Sequence, residues 1–166
     1  DENSMSYSPL TEPSKDETPL ERKAREEREK IVAKIQERNH AVAEILQTEE
    51  SYNDQLSELQ TLFMDPIKAS WESANPIVTK QDFEAMFSTV PIIFKIVKDH
   101  LPDMQDAASP TSEKQIGAVF LKMCPWLKHY AVYINGFDES SQMIQMMRKQ
   151  HPALNKLFRE AVKKSS

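Results

Sequence analysis

The chain has 166 residues, enough for one domain with a real core, and only 2 are glycine, which nearly excludes tight hairpins and glycine-rich phosphate loops. With 28% charged and 39% hydrophobic residues and few β-branched runs, the composition reads all-α. A formal net charge of -5 argues against nucleic acid as the main partner and gives no support to a polybasic membrane anchor, since both need a basic face.

Residues 1–17 hold Ser, Pro, Asp and Glu with almost nothing to bury, which predicts a disordered acidic tail, and the opening DENSMSYSPL has no secretory signal. Order should begin at TPLE: Thr18 as N-cap, Pro19 at the first helical position and Glu21 closing a capping box. Helix is then expected up to Pro66. Residues 19–63 would span about 65 Å unbroken, so a joint is expected at 38–40. Residues 18–35 form a charged extension of mixed sign, a solvated helix or half a coiled coil. Beyond it, Ile35, Val42, Leu56 and Phe63, with Ile31, Ile45, Tyr52 and Leu59 three or four residues out of phase, make one apolar seam.

A loop holding Pro66 and Pro76 is expected next, and Thr79 with Asp82 marks a second cap. Pro91 predicts a break at 88–90, followed by an apolar helix to Leu101 and a loop over 102–113. Residues 114–137 read as a helix kinked at Pro125, with Ile116, Phe120, Met123, Leu127, Tyr130 and Ile134 facing inward. Asp138 is placed to cap a further helix to about Arg148, and Pro152 to start a last one. Four to six such helices make an elongated antiparallel bundle.

The sequence lacks GxxxxGK[ST], GxGxxG, HExxH and CxxC patterns, and His40, His100, His129 and His151 stand far apart. These absences point away from a bond-making enzyme and yield neither a metal site nor a cofactor site. Cys124, alone and in the apolar context VFLKMCPWL, reads as a small buried hydrophobe of a reduced, cytoplasmic protein. The eight methionines read as core filling, and Trp71 and Trp126 as packing anchors. No apolar run approaches the roughly 20 residues of a membrane span.

One stripe stands out. Glu37, Ala41, Glu44, Thr48, Ser51 and Gln55, spaced by fours and threes, share a helix face beside the seam. Its middle is small or hydroxylated, so another backbone can approach, and the Glu44 carboxylate can accept its hydrogen bonds. A plain solvated stripe fits the same spacing.

VAEILQTEESYNDQLSELQTLFMDPI (42–67), through Glu44, Ile45, Leu46, Thr48, Glu49, Tyr52, Leu56, Leu59, Phe63 and Pro66, closely resembles the first signature block of the Dbl-homology (RhoGEF) domain of Rho-family guanine-nucleotide exchange factors. Residues 82–104 resemble that family's second helix. Residues 116–144, with Ile116, Gly117, Phe120, Tyr130 and Tyr133, resemble its second block. The resemblance covers roughly residues 36–160 and implies a partial Dbl-homology domain over 36–166. It implies that Glu44 is the catalytic residue, hydrogen-bonding the first switch loop of a Rho-family small GTPase and drawing it from the nucleotide and its Mg²⁺. Ala41, Thr48 and Ser51 would then share the GTPase-binding patch. The family's third block, a long C-terminal helix, is not in the sequence. The resemblance therefore leaves this chain's own exchange activity open, and it predicts that the uncovered groove closes by self-association through a helix swap, takes up residues 19–38, or stays partly molten. Upstream segments in the family sometimes fold over the site, so residues 19–38 are candidates for a mask. The rival reading is a non-catalytic helical interaction module.

Overall fold

A computed structural model describes residues 18–109, 112 and 114–165, and the expected tail at 1–17 lies outside them. The chain divides into two units, one through His40 and one from Ala41 onward. Among the described residues every regular element is helical.

The first helix, α1 (Pro19–Glu58), starts where its cap chemistry requires. The backbone N–H and the hydroxyl of Thr18 donate to Glu21 Oε2 at 2.9 and 2.7 Å, while the Glu21 N–H donates back to Thr18 Oγ1 at 3.3 Å. Residues 38–40 are helical, since Arg38, Asn39 and His40 include neither a glycine nor a proline to break the ladder, and the division between the two units falls at His40. In the first unit Arg25 pairs with Glu29 and Lys30 with Glu27, and Ile31 and Ile35 are exposed.

In the second unit, α1 gives way to a π-helical stretch, Leu59–Met64, which runs directly into α2 (Asp65–Ala69). Pro66 therefore does not open a loop. It occupies the first turn of α2, where its missing N–H costs little. The loop comes later and leads to α3 (Lys80–Phe87), where the Asp82 N–H donates to Thr79 Oγ1 at 3.1 Å and the Thr79 hydroxyl to Asp82 Oδ2 at 2.6 Å. The break before Pro91 is present as Ser88, at φ 35.

Helix α4 (Val90–Ala108) continues seven residues past Leu101 despite Pro102. Met104 and Ala107 lie beyond the proline and are buried, at 1% and 4% exposure, so packing offsets the lost backbone bond. Helices α5 (Ile116–Met123) and α6 (Leu127–Gln150) meet at a 3₁₀ turn, Cys124–Trp126, which is the kink expected at Pro125. The turn also changes the phase. Met123 is buried and Ile116 and Tyr130 are half-buried, but Phe120, Leu127 and Ile134 are 38%, 50% and 68% exposed, and Val119 is buried instead. A turn of three residues in place of 3.6 rotates the helix beyond it, so one periodicity cannot be carried across the junction to Leu127 and Ile134; Phe120, before the turn, lies one position off the buried face of Val119 and Met123. Cys124 is exposed on the same turn. Asp138 lies inside α6 rather than starting a helix, while Pro152 does open α7 (Pro152–Lys164).

Three clusters make the core of the second unit, and α1 with its π-helical end touches each in turn. Leu46 packs on Met104, Ala107, Val119 and Met123. Tyr52 and Leu56 pack with Ile93, Ile96 and Val97. Leu59, Phe63 and Met64 join Ile67, Phe83, Met86, Phe87, Met147, Leu154 and Phe158. Met64, Met86, Met104, Met123 and Met147 are all buried, so methionine fills the core as its flexible, apolar side chain allows. Trp71 is a packing anchor, edge-on to Phe83 with its indole N–H on the Val78 carbonyl at 3.1 Å; Trp126 is 46% exposed and stacks on His129.

Candidate functional site

The apolar positions Leu46, Tyr52 and Leu56 fix which side of α1 turns inward, and that fixes the outer flank beside them. Ala41, Glu44, Thr48, Ser51 and Gln55 are all exposed on it. The Thr48 hydroxyl donates to the Glu44 carbonyl at 2.8 Å, one turn back, which holds its side chain against the helix. The structure thus brings Ala41, Glu44, Thr48 and Ser51 together along one face.

Below Glu44, Thr48 and Ser51 join Gln47, Glu49, Tyr52 and Gln55 around a shallow depression of about 500 Å³. Periodicity alone does not assign Gln47, Glu49 and Tyr52 to the stripe. Tyr52 belongs to the seam by its spacing, yet it is half-buried and serves both. The spacing 48, 51, 52, 55 is the signal for this widening of the stripe.

Glu49 is half-buried, and burial raises its carboxyl above the ordinary range. Among the described residues no hydrogen-bond donor reaches it. Its neighbours feel it: Tyr130 is pushed up to about 12, by burial first and then by Tyr52 and Glu49. Tyr52 is raised by burial, Tyr133 and Glu49. The adjacent Glu50 is tied to α4 through the Gln105 amide at 2.8 Å, which braces α1 from the side.

Charge along this segment has one sign. Residues 39–67 contain Glu44, Glu49, Glu50, Asp54, Glu58 and Asp65 and no lysine or arginine. Such a face offers hydrogen-bond acceptors to a partner rich in N–H groups or cations, and it has no nucleophile held against a base. Among the described residues no three His, Cys, Asp or Glu side chains are placed to hold a metal ion, and no helix is long and apolar enough to cross a membrane.

Fold and face together define a class: an all-α domain whose first helix exposes a stripe of small and hydroxylated residues around one carboxylate. Residues 41–166 match the RhoGEF domain family, and the chain belongs to it. Among similar proteins, mouse Protein ECT2 is 32% identical over 113 residues, 66% of this chain and 12% of that protein. Human FYVE, RhoGEF and PH domain-containing protein 6 is 28% identical over 124 residues, 74% and 9% of the two chains. Human guanine nucleotide exchange factor VAV3 is 24% identical over 112 residues, 68% and 12%. The chain therefore spans about a tenth of the length of these relatives. A solved structure of the Vav1 exchange factor shares the fold, with a TM-score of 0.64 at 24% identity, covering 74% of this chain and 32% of that one.

Proposed function

We propose that this chain acts on a Rho-family small GTPase in the cytoplasm and promotes release of its guanine nucleotide, through the segment 36–166. The observation that carries the reading is the stripe itself: Ala41, Glu44, Thr48 and Ser51 lie exposed together on α1, inside the segment that matches the RhoGEF family.

In this reading Glu44 is the catalytic residue. Its carboxylate accepts hydrogen bonds from the GTPase's first switch loop in the open, nucleotide-free form and has weaker partners in the loaded form. Ala41, Thr48 and Ser51 lack bulk, so the loop's backbone can approach Glu44. No covalent bond forms or breaks. Exchange is accelerated because the chain binds the open form better than the loaded one, which lowers the free energy of the path between them. Self-association belongs to the same proposal, since Leu127, Ile134 and Phe137 of α6 are exposed; a mass of one chain at every concentration in light scattering refutes that part.

The test loads a panel of Rho-family GTPases with fluorescent GDP and follows its release, alongside complex formation with each nucleotide-free GTPase. Glu44→Ala should abolish most of any acceleration, and because Glu44 is exposed, stability should change by less than about 0.5 kcal/mol. Failure to bind any nucleotide-free member of the panel refutes the exchange reading.

A further inference from the structure

Charge in this chain is strongly segregated. Residues 148–164 hold six of its 21 Lys and Arg but only one of its 26 Asp and Glu, namely Glu160. The fold gathers these cations on one surface. Leu154, Phe158 and Ala161 of α7 turn into the core, which leaves Lys156, Arg159 and Lys163, spaced three and four apart, on the outer side. The end of α6 adds Arg148 and Lys149. Arg148 is held in place: its Nε and Nη2 donate to Asn155 Oδ1 at 3.2 and 3.1 Å, and its guanidinium lies 5.1 Å from the Phe158 ring.

Two shallow depressions, of about 480 and 240 Å³, meet at Pro152 and Asn155. Arg148 and Lys149 line the first, and Lys156, Arg159 and Lys163 the second. The only acid among them, Glu160, lies 3.9 Å from Lys156, both side chains being well exposed, so it neutralises little.

We propose that this basic face of α7 and the end of α6 docks on an acidic phospholipid surface. Apart from Arg148, which is half-buried, the cations are exposed and open to solvent, which suits an extended plane of negative charge rather than one enclosed anion. No exposed aromatic ring stands among them to stack a base, which disfavours a nucleic-acid strand. Glu44, Glu49, Glu50 and Asp54 of α1 are repelled by the same plane, while Glu58 accepts from Ser165 at the end of α7. The anionic surface thus attracts one part of the unit and pushes the other away, and this orients a chain whose net charge of -5 opposes adsorption.

The experiment sediments the full chain with vesicles of phosphatidylcholine alone or with about a third phosphatidylserine. Binding should require phosphatidylserine and disappear as salt rises to about 0.5 M, where the screening length is only a few Å. The charge reversal K156E/R159E/K163E should weaken it roughly tenfold or more. The matched reversal K95E/K98E/K128E, equally exposed and of equal charge but elsewhere, should weaken it far less; circular dichroism checks that both variants keep their helix content. Equal loss in the two triples, or equal binding with and without phosphatidylserine, overturns the proposal. So does binding to a single-stranded oligonucleotide as tight as to the acidic vesicles.

Discussion

The two sides of the second unit's core are built to different standards. Around Met64, Ile67, Leu154 and Phe158, nine buried residues from five helical segments and the loop before α3 interlock, three ring pairs meet edge-on or tilted, and Ser165 reaches Glu58 at 2.6 Å to tie the last helix to the first. Around Leu56, Ile93 and Val97 only four residues are buried, and the rest of the packing comes from half-buried aromatics: Tyr52, Phe94, Tyr130 and Tyr133. The first side buries more than twice as many residues, and the second shares Tyr52 with the depression beside the exposed stripe of α1. Aromatics with a polar tip let one helix close a core and keep an exposed edge on the same residues.

Removing the tightest contact of the first side should have the largest effect. Leu154 is 0% exposed, and Leu154→Ala should cost about 2–5 kcal/mol in urea unfolding. Tyr52→Ala on the second side should cost less, about 1–2 kcal/mol, because the side chain is only partly buried. A cost as large as that at Leu154 would erase the distinction between the two sides.

A smaller effect sharpens the comparison through pH. Glu49 has a raised folded pKa, so its burial favours the protonated form. That contribution is fully present below the ordinary carboxylate pKa of about 4.5 and is lost as pH rises through the raised folded value. At pH 7 the buried charge is a cost that Glu49→Gln removes. The variant should melt about a degree or two above the parent at pH 7, with the gap closing toward pH 4. The smallest effect is expected at Ile134, 68% exposed: Ile134→Ser should shift stability by less than about 0.5 kcal/mol.

Local chemistry made much of this legible in the sequence. The caps at Thr18 and Thr79 and the breaks at Pro91, Pro125 and Pro152 arise from groups within four residues of each other. The stripe from Ala41 to Gln55 was legible because nothing interrupts its spacing. Pro102 misled because what keeps α4 going, the burial of Met104 and Ala107, lies in contacts distant in sequence. Leu127 and Ile134 misled because the 3₁₀ turn resets the phase, and Phe120 because α5 turns the face of Val119 and Met123 inward, one position away. Glu49 was hidden because its character comes from burial, and the basic surface because an average over 166 residues cancels charges that the fold keeps apart.

One consequence concerns stiffness. Along one run of chain, Leu46, Leu56 and Met64 are seated in three separate clusters, so bending the run between 46 and 64 means disturbing more than one of them. In the proposed exchange reading, a loop laid along its outer side would meet an edge already shaped for it, and the loss of conformational freedom on association would fall mainly on the visitor.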